Sequence, residues 1–450
     1  MTLNEIKKIY FVGIGGIGMS ALARYFLQRG AEVFGYDKTE TDLTRQLSAE
    51  GMKIHYTDDV SQIPENIDLV VYTPAIPKEH SELNYFNENN FLVKKRSEVL
   101  GIISRGMRCI AVAGTHGKTS TSSLLTWILR CGGIDCTAFL GGIAQNFKSN
   151  YVIGKSEWVV MEADEYDRSF LQLYPEISII TSTDADHLDI YGSHKNMILS
   201  YEQFMGQTQK IIFAREGIEV KNLQNECRAY YYGCDGSEFS AEFFRVRSEF
   251  FIFDYKSPDV EISDIKFTQP GRHNVENATA AISVALELGV GEEAIRTALA
   301  TFKGIERRFE KIYVSKNVAY IDDYAHHPEE LKAAISAARM IYPERKIIGI
   351  FQPHLFSRTR DFAEGFAEAL DMLDEILLLD IYPARELPIE GVTSAIIFDK
   401  LKNKNKEIVT KENILKILEN KKFSVLLTLG AGDINTLVQP IKKWLTDSNL

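Results

Sequence analysis

The chain has 450 residues, of which 45% are hydrophobic and 25% are charged, and its formal net charge is −11. This composition is typical of a folded globular protein, and the acidic balance lacks the basic surface with which nucleic-acid binders neutralise phosphates. No apolar run approaches the ~20 residues of a membrane span, the start of the chain has no export signal, and the cysteines form no CxxC pair. We therefore expect a cytoplasmic protein with no nucleic-acid partner, no membrane insertion, no disulfides and no zinc site.

Strands and helices alternate at the start of the chain, in residues 1–106. The segments KKIYFVGIG, AEVFGYD and IDLVVYTPAI are apolar and short, whereas Met19, Leu22, Ala23, Phe26 and Leu27 follow helical spacing. Such alternation predicts a parallel sheet covered by helices, a Rossmann-like domain.

A glycine-rich loop, GIGGIG, follows the first predicted strand and contains Gly13, Gly15 and Gly18. Asp37 ends the second strand. This pattern is typical of a dinucleotide-binding turn, in which the backbone approaches a diphosphate closely. The same geometry suits the diphosphate of a nucleotide sugar, so the residues alone leave both ligands open.

The strongest local motif is AVAGTHGKTST, residues 111–121. A buried strand runs into a glycine turn and then into Lys118, Thr119 and a helix, which is the arrangement of a phosphate-binding loop. Such a loop places a lysine on the terminal phosphates and a hydroxyl on Mg²⁺. Val112 stands where the general pattern has glycine, so GTHGKT is a shorter variant.

Acidic and imidazole side chains follow two later predicted strands. Glu162 ends WVVME, and Asp184, Asp186, His187 and Asp189 follow SIITST. Ligands of open α/β sheets bind at the carboxyl ends of the strands, and carboxylate oxygens suit Mg²⁺. The residues therefore predict a magnesium site beside the phosphate loop.

The remaining segments complete a three-domain α/β prediction. From about residue 210 to 267 the chain is β-rich, with KIIFARE and RAYYYGC among the segments that predict antiparallel strands added to the central sheet. From about Lys311 onward, strands and helices alternate again. We predict a Rossmann-like domain over 1–106, a central P-loop domain over 107–312 and a Rossmann-like carboxyl-terminal domain over 313–450.

The last third also carries four segments rich in polar side chains: GRHNVEN, GIERRFE, DDYAHHPEE and FQPHLFSRTRD. With the three motifs above and EADE, they resemble the Mur ligases of peptidoglycan synthesis over nearly the whole chain. The resemblance implies three domains, which bind a UDP-sugar, ATP with Mg²⁺, and an amino acid. It further implies ATP-dependent joining of L-alanine to the lactyl carboxylate of UDP-N-acetylmuramate.

The resemblance also assigns roles to residues. It places the UDP-sugar diphosphate on the amino-terminal loop, formed by Gly13, Gly15, Gly16, Ile17 and Gly18, with Asp37 beside it. ATP would contact Gly114, Thr115, His116, Gly117, Lys118, Thr119, Ser120, Asn274, Asn277, Arg308 and Asp323, of which the asparagines read adenine and Asp323 the ribose. Thr119 and Glu162 would bind Mg²⁺, and His187 would bind a second Mg²⁺. The amino acid would meet Tyr324, His326, His354 and Arg358.

Several alternatives remain open. His326 or His354 could accept the proton of the attacking amine, and Leu355 stands where the best-known members carry a second basic residue. The EADEYD segment also resembles the ligase that attaches a ready-made L-Ala-D-Glu-diaminopimelate tripeptide to the same UDP-sugar. Outside this family, an NAD-dependent dehydrogenase and a regulatory ATPase are the competing hypotheses, and the chain is expected to be a monomer or a dimer.

Overall fold

The structure is a computed structural model that describes residues 3–224, 226–247, 250–384 and 386–448, without the side chains of Asn4, Leu188 and Asp189. Two compact units are distinguished. The first contains the described residues up to Glu242, with Asp254–Ile265 and Glu276–Leu299; the second contains Phe243–Phe253, Lys266–Val275 and the described residues from Ala300 onward. Among the described helices, none is both long enough and apolar enough to cross a membrane.

The amino-terminal part of the first unit is a five-stranded sheet. Its strands are β1 Lys8–Val12, β2 Glu32–Tyr36, β3 Lys53–His55, β4 Leu69–Tyr72 and β5 Val93–Lys95. Its helices are α1 Ile17–Gln28, α2 Asp42–Ala49, α3 Ser81–Glu88 and α4 Arg96–Gly106. The order is β3-β2-β1-β4-β5 and every pair is parallel. The predicted Rossmann-like architecture is confirmed, and the GIGGIG loop lies at the carboxyl end of the central strand.

A ten-stranded sheet follows. Its strands are β6 Arg108–Ala113, β7 Thr137–Ala144, β8 Ser149–Val152, β9 Trp158–Ala163, β10 Ile177–Ile180, β11 Ile211–Arg215, β12 Arg228–Cys234, β13 Phe239–Arg247, β14 Phe250–Lys256 and β15 Glu261–Phe267. The helices are α5 Lys118–Cys131, α6 Leu188–Tyr191, α7 His194–Met205, α8 Arg272–Glu287 and α9 Glu292–Thr301. The strand order is β15-β14-β13-β12-β11-β10-β6-β9-β7-β8.

The central sheet is mixed, as predicted, with β7 and β8 pairing antiparallel, but three strand directions differ from the prediction. β11, β12 and β13, predicted antiparallel, pair parallel in the order β10-β11-β12-β13. The prediction was wrong because a parallel crossover usually contains a helix. In the described part of the connection 216–227 the chain crosses without one.

The second unit contains a six-stranded sheet. Its strands are β16 Glu310–Val314, β17 Ala319–Asp323, β18 Ile347–Phe351, β19 Glu375–Leu378, β20 Lys406–Ile408 and β21 Val425–Leu429. Its helices are α10 Pro328–Ile341, α11 Phe356–Asp361, α12 Ala363–Leu370, α13 Ala395–Phe398, α14 Ile414–Glu419 and α15 Val438–Asp447. The order is β16-β17-β21-β18-β19-β20, parallel except for β16. Buried apolar residues cover both faces of this sheet.

Candidate active site

The phosphate loop connects β6, in the interior of the central sheet, to the start of α5. β6 lies between β9 and β10, both parallel to it. Gly114 and Gly117 have positive φ angles of 139° and 82°, which glycine adopts without steric cost. A Cβ atom on Gly114 would also lie 2.0 Å from the Thr181 hydroxyl. Both glycines of the GTHGKT motif are therefore required by the shape of the loop.

Residues after β10 hold the phosphate loop in place. The Ser182 hydroxyl accepts a hydrogen bond from the His116 amide at 2.8 Å, and the Thr115 amide donates to the Ser182 carbonyl at 3.2 Å. The Thr115 hydroxyl accepts a bond from the Asp184 amide at 3.2 Å. The loop is thus organised by the protein itself, which lowers the cost of ordering it around a ligand.

Lys118 is the first residue of α5 and is held by several acceptors. Its ammonium donates to the Gly114 carbonyl at 2.6 Å and to the two carboxylate oxygens of Glu165 at 2.7 and 3.0 Å. Burial opposes the charge on Lys118, yet the nearby carboxylates, Glu165 first among them, raise its pKa above the usual value. Burial likewise opposes the charge on Glu165, whose pKa Lys118 and His187 nevertheless bring below its usual range. The lysine is therefore a cation placed at the mouth of the loop.

The predicted magnesium ligands lie at the strand ends around this loop. Glu162 ends β9 and accepts a bond from the Gly141 amide at 3.0 Å. The His187 imidazole Nε2 lies 3.6 Å from Glu165 Oε1, and Thr119 is buried in the first turn of α5. The side chain of Asp189 lies outside what the structure describes.

These residues suit Mg²⁺ rather than a cation that the protein encloses by itself. Across residues 3–224, 226–247, 250–384 and 386–448, no three His, Cys, Asp or Glu side chains form a group that could hold a metal ion. A hydroxyl, a carboxylate and an imidazole leave coordination positions to be filled. Mg²⁺ commonly keeps waters and takes substrate phosphate oxygens in such places. The donor set therefore fits a metal that binds together with ATP.

The two asparagines of GRHNVEN lie in different surroundings. A Cβ atom on Gly117 would lie 2.7 Å from Asn277 Oδ1, so Asn277 sits directly against the phosphate loop. Asn274 belongs to the second unit, where its side-chain amide donates to the Pro270 carbonyl at 2.6 Å. Adenine recognition by either residue stays a prediction.

The amino-terminal glycine loop is braced by its own domain. The Gly13 amide donates to the Tyr36 carbonyl at 2.8 Å, and the Gly15 amide donates to the Asp37 carboxylate at 2.7 Å. Gly16 precedes α1 and supplies no side-chain cap, while Ile17 is 38% exposed. Asp37 therefore positions the loop, and its direct contact with a substrate stays a prediction.

In the second unit, the loop after β17 gathers the predicted ribose and amino-acid residues. The Asp323 carboxylate accepts bonds from the Phe309 amide at 2.7 Å and the Ala325 amide at 2.8 Å, and burial raises its pKa to about 7. His326 Nδ1 lies 3.2 Å from Glu330 Oε2, and burial lowers the pKa of His326 to about 4. His326 is therefore a neutral imidazole near pH 7. Arg308 lies 3.7 Å from Glu330 and 5.2 Å from the Tyr324 ring centre.

His354 lies beside this loop at the end of β18. Its ring centre is 5.9 Å from that of His326 and 5.8 Å from that of Tyr382, on which it stacks. The next residue, Leu355, has a positive φ of 69° and is 8% exposed, and its amide donates to the Tyr382 carbonyl at 2.9 Å. Arg358 follows in α11 and is buried. The structure thus brings the two candidate bases together.

Three neighbours of the predicted residues were not anticipated. Glu165 contacts Lys118, Glu330 contacts His326, and Tyr382 stacks on His354. Glu165 and Glu330 lie within the motifs EADE and DDYAHHPEE, which the sequence analysis had already identified. Each is a carboxylate three or four residues after a predicted site residue, and that spacing could have indicated both. Nothing in the sequence pointed to Tyr382.

Comparisons with known proteins agree with this arrangement. Three family models match in succession: the Mur ligase family catalytic domain at residues 8–108, the Mur ligase middle domain at 112–285, and the Mur ligase glutamate ligase domain at 307–432. Together they cover most of the chain.

Relatives and a solved structure also match over nearly the whole chain. A UDP-N-acetylmuramate–L-alanine ligase of Flavobacterium psychrophilum is 49% identical, with 99% of this chain and 100% of the relative covered. One from Porphyromonas gingivalis is 47% identical over 98% of this chain and 99% of its own. The crystal structure of a UDP-N-acetylmuramate–alanine ligase from Thermotoga maritima superposes with a TM-score of 0.85 at 29% identity, covering 98% and 99% of the two chains. The chain therefore belongs to the Mur ligase family.

Proposed function

We infer that this protein is an ATP-dependent ligase that forms an amide bond between L-alanine and the lactyl carboxylate of UDP-N-acetylmuramate. The observation that carries this function is identity of 45% to 49% with enzymes of that name over at least 98% of this chain. A murein peptide ligase from Psychrobacter arcticus shares the fold at a TM-score of 0.70 but only 21% identity. Tripeptide attachment is therefore not favoured.

The reaction requires that a poor acyl donor be activated. A carboxylate would have to expel oxide, so its oxygen first attacks the γ-phosphorus of ATP, and ADP leaves. The resulting acyl phosphate is attacked by the neutral amine of alanine, and phosphate leaves as the tetrahedral intermediate collapses to the amide. The first step brings two anions together, and positioned cations offset their repulsion.

Lys118 is the residue of this chain best placed to do so. Its ammonium lies across the phosphate loop, 2.6 Å from the Gly114 carbonyl. From there it would contact the β- and γ-phosphates of ATP. Thr119 and Glu162 would hold one Mg²⁺ and His187 a second, and these ions when bound supply positive charge to the phosphate oxygens.

Residues of the second unit would bind the acceptor, L-alanine. Arg358 would bind the carboxylate of alanine through paired N–H donors. His326 and His354 are both candidates to accept the proton of the amine, and burial lowers the pKa of His326 to about 4. Tyr324 would line the same site, and Asp323 and Arg308 would contact the ATP ribose and phosphates. The domain limits 1–106, 107–312 and 313–450 complete the proposal.

The function is tested by phosphate release with ATP, UDP-N-acetylmuramate and Mg²⁺, adding amino acids one at a time. We expect release that depends on both the UDP-sugar and L-alanine, with the amide product detected by mass spectrometry. Release that continues without an amino acid would instead indicate an ATPase. Preference for the tripeptide over L-alanine would indicate the recycling ligase.

A further inference from the structure

Arg96, the first residue of α4, contacts two motifs that are far apart in the sequence. Its terminal nitrogen Nη1 lies 2.0 Å from the position that a Cβ atom on Gly18 would occupy. Its other terminal nitrogen, Nη2, donates a hydrogen bond to Asp164 Oδ2 at 2.9 Å. Arg96 therefore joins the amino-terminal glycine loop to the EADE segment beside the phosphate loop, and all three lie in the first compact unit.

The contact at Gly18 explains why that residue is glycine. Gly18 lies in the first turn of α1, and it is not among the glycines with a positive φ angle. Alanine would be the better helix former at such a position. A methyl group there would collide with the guanidinium, whose central carbon lies 2.9 Å from the ideal Cβ position. Gly18 thus makes room for Arg96.

Asp164 is held firmly at the other end of this link. Its second carboxylate oxygen accepts the Tyr166 amide at 3.1 Å, and its carbonyl accepts the Phe170 amide at 2.8 Å. Asp164 also lies between Glu162, a proposed magnesium ligand, and Glu165, which contacts Lys118. A group that binds Asp164 is therefore held at a defined place relative to the ATP site.

The guanidinium retains donors for a ligand. Arg96 is 21% exposed, and Asp164 is its one hydrogen-bond partner among the residues that the structure describes. An arginine side chain presents five N–H donors in a planar fork, which suits phosphate oxygens. Nη2 donates to Asp164, and Nη1 lies beside Gly18 of the glycine loop.

We propose that Arg96 is a substrate-binding residue that donates to the diphosphate of the UDP-sugar on the glycine loop while it stays bound to Asp164. The proposal rests on the function inferred above, which places that diphosphate on GIGGIG. Arg96 then has two effects. It adds a positive charge to diphosphate binding, and it holds the bound UDP-sugar in register with the site where its carboxylate is phosphorylated.

The matched control is the neighbouring residue, Lys95. Its ammonium forms an ion pair with Asp167 at 2.9 Å, so it joins the last residue of β5, directly before α4, to a residue three positions after Asp164. Lys95→Gln removes one positive charge and one such ion pair, as Arg96→Gln does. Lys95→Gln leaves the guanidinium of Arg96 in place beside Gly18.

The test is titration calorimetry of the full chain with UDP-N-acetylmuramate in the absence of ATP. We expect Arg96→Gln to weaken this binding by about tenfold or more, the usual effect of losing a hydrogen bond to a charged group. Lys95→Gln should bind like the wild type. ATP binding measured alone should be unchanged in both variants, and equal unfolding temperatures would show that both are folded.

Two further variants separate binding from alignment. Gly18→Ala, which displaces the guanidinium, should weaken UDP-sugar binding as Arg96→Gln does. Asp164→Asn removes the negative charge that anchors Arg96 but leaves the cation, so UDP-sugar affinity should be kept while kcat falls.

Wild-type UDP-sugar affinity in Arg96→Gln would overturn the proposal, and so would equal losses in Arg96→Gln and Lys95→Gln, which would indicate helix docking alone. In either case the wild type would still form the alanyl product, so the proposed function would stand. A wild type that binds no UDP-sugar would overturn both.

Discussion

Lys118 and Glu165 form a buried ion pair at the phosphate loop. Their side chains are only 13% and 2% exposed, and the shortest N–O distance is 2.7 Å. Glu165 therefore binds the same ammonium group that is proposed to contact the phosphates of ATP. The pair makes Lys118 important for stability as well as for catalysis.

We predict that Lys118→Met has two separable effects. It should lower the rate of product formation by about 10²–10³, as loss of a preorganised cation does. It should also destabilise the ligand-free protein by about 3–5 kcal/mol, because a buried carboxylate is left without its partner. Urea unfolding and the product assay measure the two effects.

The double variant Lys118→Met/Glu165→Gln is the control for this interpretation. It should regain much of the lost stability, because the uncompensated charge is gone, yet stay as inactive as the single variant. If the double variant is no more stable than Lys118→Met, the ion pair does not account for the loss.

Among the elements, those with strong periodicity or glycine turns were predictable. The strand, glycine turn and helix around GTHGKT were predicted correctly because φ angles near 82° and 139° demand glycine locally. The residues of a strand do not by themselves indicate whether it pairs parallel or antiparallel, as β11 and β12 show.

The loop after β17 carries two titrating groups whose effects on stability oppose each other. Burial raises the pKa of Asp323 to about 7. The contribution of Asp323 to the free energy of unfolding is therefore fully present below its usual pKa and is lost as the pH rises towards 7. Burial lowers the pKa of His326 to about 4. The contribution of His326 to the free energy of unfolding is therefore fully present above its usual pKa and is lost as the pH falls towards 4. The two contributions to the free energy of unfolding therefore oppose each other between about pH 4 and pH 7.

Single substitutions in this loop should reveal the two opposing dependences of stability on pH. Relative to the wild type, His326→Asn should lose stability as the pH rises from 4 to 7, by about 1–3 kcal/mol. Asp323→Asn should gain stability over the same range. Unfolding temperatures at closely spaced pH values measure both slopes, and the double variant should be flat. Slopes of the same sign in the two single variants would contradict the assignment.

On the scale of the whole molecule, one hydrophobic core spans the predicted boundary near residue 106. Tyr25 on α1 packs against Phe139 of β7 and Tyr151 of β8, with ring centres 5.5 and 6.2 Å apart. Contacts between residues more than a hundred positions apart have no local signature, so the sequence could not indicate them. The predicted limits at 106 and 312 are finer than the two compact units and stay predictions.

Asn150 is the polar centre of that junction. It is fully buried, its Oδ1 accepts a bond from Arg24 at 2.5 Å, and its amide donates to the Ser20 hydroxyl at 2.9 Å and to the Ile17 carbonyl. Ile17 belongs to the glycine loop, so Asn150 ties β8 directly to the proposed UDP-sugar site.

We predict that Asn150→Ala destabilises both sides of the junction together. Each buried partner left unsatisfied costs about 1–3 kcal/mol, and the loss should be shared because the core is continuous. Hydrogen exchange followed by mass spectrometry should show peptides of α1 and of β7–β8 losing protection by the same free energy. Lys148→Gln, an exposed change in the same hairpin, should leave both unaffected. Loss of protection in β7–β8 alone would mean that the amino-terminal sheet unfolds independently of its neighbour.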